Sequence, residues 1–223
     1  MRLIGEGGDC YPVSGGLVFW TGNWRRRTYV FFDGLSLREI EYKAYWNAVI
    51  GEVTNGILAQ AKHRWDDCGV SVSINKCGDI AICSFEDNTI SIFDAHGELQ
   101  GKFCAQTSFG VNSIAWGDAG IWCAAAADMT VDLYSTTGTL LRVYGTPYDD
   151  KELSYPQHVS YRSGIVYISD MGHGRVARFD AQNDGEIETY RFFGEPVWEW
   201  HFCESLDAEV VRLKSGIYLL NDE

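Results

Sequence analysis

The chain has no run of about 18 apolar residues, so no segment has the composition of a membrane-spanning helix. The start, "MRLIGEGGDCYPV", carries no apolar stretch of signal length, which leads to the expectation of a soluble protein that is not exported. Its seven cysteines (10, 68, 77, 83, 104, 123, 203) include no C-x-x-C pair and form an odd, scattered set. That pattern argues against a disulfide framework or zinc ribbon. It fits reduced thiols used as small hydrophobes in strands, in a cytoplasmic, reducing setting. Basic charge is scarce: 18 Lys and Arg against 31 Asp and Glu give a formal charge of −13 and an isoelectric point near 4.7. Such a surface repels phosphate backbones and anionic lipid, so neither nucleic acid nor membrane is expected as a partner. The single basic run, Arg25-Arg26-Arg27, reads as a solvated turn or local salt-bridge partner. Gly-rich phosphate loops, the Gly-x-Ser-x-Gly elbow and the His-Glu-x-x-His helix are all missing.

What is present is a repeat. "GIVYISDMGHGRVARFD" (Gly164 to Asp180) aligns without a gap on "GDIAICSFEDNTISIFD" (Gly78 to Asp94). A third copy is "AGIWCAAAADMTVDLYS" (Ala119 to Ser135), and a diverged fourth is "LVFWTGNWRRRTYVFFD" (Leu17 to Asp33). Each starts near a turn glycine, alternates apolar residues, breaks at polar residues and resumes the alternation. An alternating run precedes each copy, and a short strand follows, closing on Gly145 in "LLRVYG" and on Gly194 in "TYRFFG". Four strands in about 41 to 45 residues is the period of a β-propeller blade. Period-2 alternation dominates, and no long 3.6-residue pattern with caps competes with it.

The turn glycines at 16, 56, 78, 120, 164 and 216 are spaced by 40, 22, 42, 44 and 52 residues. Two half-units, "IGEVTNGILAQAK" and "VVRLKSGIYLLND", are too short for four strands. "MRLIGEG" resembles the fourth-strand phrase "YRFFGEP", so the N-terminal segment is expected to supply the outer strand of the last blade and close the ring. The fold expected is an all-β, single-domain propeller over residues 1–223, with one or two incomplete blades. Five blades make residues 44–67 an insertion; six would make that stretch a degenerate blade.

At "GIVYISDMGHGRVARFD" the chain resembles the NHL repeat, through Asp170, Arg175, Val176, Phe179 and Asp180, with His173 in place of the usual Asn. The motif is good in this blade alone: Asp170 becomes Ser84, Ala125 and Asn23 in the other copies, and Arg175 becomes Thr89, Thr130 and Thr28. Tryptophan-aspartate repeats are the architectural alternative, but their signatures do not occur at repeat spacing. The resemblance implies that Asp170 and Arg175 belong to a polar network inside the blade. Its alternative implication is a metal in the central channel, since some NHL-like propellers are lyases or hydrolases of that kind. The ligands would be Asp87, Asp128 and His173, at matching tips between second and third strands. "AKHRWDDCG" has metal-ligand composition without zinc-knuckle spacing and is read as a turn.

Eight tryptophans exceed what a small propeller core needs. Trp198 and Trp200, set by alternation on one side of their strand with Glu199 and His201 on the other, are candidate anchors for a protein partner, together with Trp24, Tyr45 and Trp46. The function expected is a non-enzymatic interaction or structural scaffold without a cofactor, within a cellular or viral assembly. The metal-dependent lyase or hydrolase is the alternative, and carbohydrate binding on exposed tryptophan a third.

Overall fold

A computed structural model describes residues 1–23, 26–45, 47–49, 70–85, 87–183 and 185–220. Strand β1 (Arg2–Gly5) leaves at once for the far end of the chain's fold. The first blade is then β2 (Gly7–Val13), β3 (Gly16–Asn23), β4 (Arg26–Phe32) and β5 (Leu37–Ile40). The second is β6 (Val70–Ile74), β7 (Ile80–Ser84), β8 (Thr89–Phe93) and β9 (Leu99–Cys104). The third is β10 (Ser113–Trp116), β11 (Ile121–Ala125), β12 (Thr130–Tyr134) and β13 (Leu140–Tyr144). The fourth is β14 (Pro156–Arg162), β15 (Ile165–Asp170), β16 (Arg175–Asp180) and β17 (Glu188–Phe192). The fifth is β18 (Val197–Cys203), β19 (Ala208–Leu213) and β20 (Gly216–Leu220), completed by β1 in the order β1-β20-β19-β18. The five antiparallel four-stranded sheets stand in a ring, a five-bladed β-propeller.

The turn glycines recur for a steric reason. A Cβ on Gly16 would stand 2.0 Å from the Phe32 carbonyl oxygen, and one on Gly120 would stand 2.1 Å from that of Tyr134. In both blades the first hairpin runs so close to the end of the third strand that only a residue without a side chain fits.

Between blades the sheets bury their faces against one another. Four seams have apolar clusters: Leu17, Phe19 and Phe32 with Val210 and Ile217 between blades one and five; Ala81, Ile90 and Ile92 with Ile121 and Tyr134 between two and three; Trp122 and Leu133 with Val166 and Phe179 between three and four; Val176 with Trp200, Val211 and Leu213 between four and five. On the side of blade one facing blade two, residues 42–45 and 47–49 are helical. There Tyr45 packs on Tyr29 and Tyr11, with ring centroids 4.7 Å and 6.3 Å apart. The expected insertion therefore begins as a short helix against the first blade, and the half-unit "IGEVTNGILAQAK" lies outside the described residues. The other half-unit is complete, because β1 pairs with β20 through Arg2↔Leu219 and Leu3↔Tyr218. The chain's own N-terminal segment fills the outer position of that blade, as expected.

Ile4 is 6% exposed within the cluster between blades one and five, so closure rests on apolar burial as well as on the ladder. Ile4→Ala is expected to cost about 2–4 kcal/mol in a denaturant melt. Deleting residues 1–6 uncovers the β20 edge and is expected to yield oligomers by size-exclusion chromatography. A monomer of unchanged stability would show that the ring does not depend on β1.

Candidate functional site

The innermost strands β2, β6, β10, β14 and β18 enclose a central channel with a cavity of about 730 Å³. Each innermost strand pairs with a neighbour on one edge only, and its other edge must find partners elsewhere. Serines supply several of them: Ser71 and Ser73 hydroxyls accept from the Ile114 and Trp116 amides at 3.0 and 2.9 Å. Ser113 accepts from Val159 N at 3.4 Å, and the Ser160 hydroxyl donates to Trp200 O at 2.9 Å. At the seam between blades five and one the acceptor is a carboxylate. Glu199 Oε2 takes the Cys10 amide at 2.9 Å and lies 3.3 Å from Cys10 Sγ.

That substitution puts charge in the channel wall. Glu199 is 7% exposed, and its second oxygen, Oε1, is held by Arg212 Nη2 at 2.5 Å. Arg212 also reaches Asp9 Oδ1 at 3.3 Å and lies over the Trp198 ring at 5.5 Å. Burial alone would raise Glu199, but the Arg212 charge and the His201 contact outweigh it and hold the carboxyl well below its ordinary range. Asp9, whose side chain keeps about half of its surface exposed, is raised by the crowding of the channel wall around it and by the Glu199 charge. Burial, reinforced by the neighbouring His201, pushes His158 down to about 3, so it is a neutral imidazole at physiological pH. His158 and His201 meet edge to face at 4.4 Å, and His201 Nε2 sits 3.5 Å from Glu199 Oε2 with no hydrogen bond of its own. Burial, then Glu199, drives the Cys10 thiol well up.

The sequence candidates fall differently. Trp198, Glu199 and His201 all line the channel, while Trp200 is 2% exposed and turns into the seam between blades four and five, donating to Glu209 Oε2 at 2.9 Å. A register shift between Val197 and Glu199 displaces Trp198 from simple alternation. Trp200 is thus a core residue and not a surface anchor. Tyr45 is likewise buried, at 1% exposure, by the helix that carries it. Trp24 and Trp46 lie outside the described residues, as does "AKHRWDDCG". Among the described residues the only group of three or more His, Cys, Asp or Glu ligand atoms within 4.8 Å of one another is Cys10, Glu199 and His201, so Asp87, Asp128 and His173 do not converge. They occupy tips of separate blades. Asp87 accepts locally from Thr89 N at 3.1 Å, Asp128 pins the incoming connector through Ser108 N at 2.8 Å, and His173 Nδ1 meets Asp170 Oδ2 at 2.8 Å.

Asp170 and Arg175 form the internal network expected of them. Asp170 is fully buried and receives Ser154 N at 2.7 Å and Arg175 Nε at 2.7 Å, while Arg175 Nη1 donates to Thr189 Oγ1 at 2.8 Å. The six described cysteines are unpaired, four of them buried. No local signal announces the Cys10–Glu199 contact, which joins residues 189 apart in the chain.

No family model matches the chain, and no curated protein matches it in sequence. Among solved structures, a catalytically inactive virginiamycin B lyase from Staphylococcus aureus with quinupristin aligns over 93% of this chain and 64% of its own, with TM-score 0.53 and 13% identity. A streptogramin B lyase aligns over 99% and 72%, with TM-score 0.51 and 15% identity. The computationally designed Ika4 protein aligns over 70% and 93%, with TM-score 0.51 and 16% identity. The chain spans about two thirds of the length of the virginiamycin lyase. At these identities the likeness defines the class, a β-propeller, and no activity.

Two predictions follow from the buried charges. Arg212→Met leaves Glu199 uncompensated and is expected to cost about 3–5 kcal/mol; adding Glu199→Gln should restore part of the loss, and equal stability of the single variant and the parent would refute the pairing. Asp132, 4% exposed and with Oδ1 unpartnered, is raised to about 6 by burial, with a smaller contribution from the charge of Asp128. The folded state therefore binds more protons than the unfolded chain between about pH 4 and 6. Its contribution is complete below about pH 4 and is lost as pH rises through 6. Asp132→Asn should remove that decline and be more stable at pH 7.5 by up to about 3 kcal/mol; parallel pH–stability curves for parent and variant would contradict it.

Proposed function

We propose that the protein is a non-enzymatic binding scaffold of NHL-like type that docks a protein partner on the face where the blade-to-blade connectors run. The observation that carries this reading is an aromatic set on two adjacent connectors: Phe109 is 66% exposed, Tyr148 68% and Tyr155 46%. Phe85 joins it, edge to face with Phe109 at 5.7 Å. Exposed aromatics on a rigid support are the usual anchors of protein interfaces.

The support is rigid for identifiable reasons. Asp128 holds Ser108 N with its side chain and Tyr148 N with its backbone carbonyl, 3.0 Å away, so one residue ties two connectors together. Tyr148 and Tyr155 have φ of 61° and 52°, a left-handed backbone that costs a bulky side chain free energy and is retained where the surroundings enforce it. The acidic surface disfavours nucleic acid, and the unpaired cysteines support a reducing intracellular setting.

The test is native mass spectrometry of the tagged chain purified from its own source, alongside the variant Phe109→Ala/Tyr148→Ala/Tyr155→Ala. A stoichiometric protein partner should be present with the parent and absent from the variant, each truncation weakening binding by about 2 kcal/mol, while the melting temperature is little changed. A partner retained by the triple variant, or a monomer in the parent sample, would overturn the reading.

A second reading, a metal-dependent lyase or hydrolase, is favoured by one observation: the channel is large enough for a small molecule and its wall holds His201, Glu199 and Asp9 together. The site of such chemistry would be the seam of blades one and five, away from Asp87, Asp128 and His173.

A further inference from the structure

The geometry points to a metal site at the ring-closing seam: we infer that Cys10, Glu199 and His201 bind one zinc-class divalent ion, with the fourth position open to the channel. The inference rests on the channel of the second reading and is independent of the aromatic docking face.

The argument begins with distances. A tetrahedral zinc with Zn–S of about 2.3 Å and Zn–N and Zn–O of about 2.0 Å places its sulfur and oxygen ligands about 3.5 Å apart, and its nitrogen and oxygen ligands about 3.3 Å apart. Here Cys10 Sγ is 3.3 Å from Glu199 Oε2, and His201 Nε2 is 3.5 Å from the same oxygen. All three ligand atoms lie within 4.8 Å of one another, so they require only small shifts to receive the ion. His201 Nε2 is a buried ring nitrogen with no hydrogen-bond partner, an arrangement that is costly unless something completes it.

Charge supports the same conclusion. Glu199 divides its oxygens: Oε1 faces Arg212, and Oε2 faces the thiol and the imidazole. Arg212 neutralises one carboxylate, while Asp9, 3.3 Å from Arg212, adds a second. Two carboxylates and one guanidinium thus stand beside the thiol and the imidazole. Binding replaces the Cys10 S–H bond by a metal–sulfur bond and releases one proton to solvent. The resulting thiolate and the surplus carboxylate together balance the dication. Sulfur, nitrogen and oxygen in one set select a zinc-class ion over magnesium or calcium, which take all-oxygen shells. Glu199 and His201 line the cavity, and among the described residues no further His, Cys, Asp or Glu joins the set. With Cys10 behind them in the seam and Glu199 and His201 on the cavity side, three protein ligands leave the fourth position for a water or a small anion from the channel.

The experiment is titration of the full-length chain with Co²⁺ and, separately, Zn²⁺. One equivalent of Co²⁺ should give tetrahedral d–d bands and a thiolate-to-cobalt charge-transfer band, and Zn²⁺ should displace it. Cys10→Ser should abolish the charge-transfer band, and His201→Ala should weaken binding by at least about 100-fold. Because Glu199 also holds the Cys10 amide, its variants are not used. Absence of the band in the parent, its persistence in Cys10→Ser, or unchanged affinity in His201→Ala would overturn the site. The aromatic triple variant should bind the ion as the parent does, so loss of a protein partner and loss of the metal are read separately.

Discussion

Everything in this molecule depends on satisfying the inner edges of five sheets. A strand at the centre of a ring has no sixth sheet to pair with, and the amides of its inner edge must find partners in the adjacent blade or in water. Serine hydroxyls from the adjacent blade answer that demand at Ile114, Trp116 and Val159. These bonds fix the relative height of neighbouring blades, which apolar seams alone would leave free to slide. The apolar clusters then supply the bulk of the stabilisation, and the serines supply the register.

The closing seam is the exception, and it makes the channel chemically interesting. There the first and last blades come from opposite ends of the chain, and the acceptor is Glu199. A carboxylate is a stronger acceptor than a hydroxyl, but a buried one needs a counter-charge. Arg212 supplies it, Asp9 and Trp198 surround Arg212, and His201 and Cys10 are drawn against the remaining oxygen. One structural need at a seam thus accounts for a set of groups with shifted proton affinities beside a cavity. The proposed docking face has a different origin. Its aromatics ride on connectors that Asp128 and Asp170 pin to the blade tips, so Asp128, expected as a metal ligand, instead holds a loop still.

The sequence carried the architecture well, because a propeller is written in local code. Alternation, turn glycines such as Gly16 and Gly120, and the likeness of "MRLIGEG" to "YRFFGEP" are all short-range signals. The ring closed by β1 and the Asp170–Arg175 pair were legible for that reason. The site was not. Glu199 and Cys10 are neighbours only after the ring closes, and repeat alignment gives height along a blade tip but not distance from the axis, which is why Asp87, Asp128 and His173 looked convergent. Trp200 and Tyr45 were misplaced by features that alternation does not encode, a register shift in one case and a short helix in the other.

The most direct measurement of this account is residue-resolved amide hydrogen exchange under native conditions, read at Cys10, Ile114, Trp116 and Val159. Side chains from neighbouring blades hold these four amides, although none of them belongs to a ladder bond across that edge. The account predicts protection comparable to that of amides inside the blade ladders, lost only with global opening. Exchange at rates typical of exposed connectors would contradict it, and would mean that the blades are held by apolar packing alone.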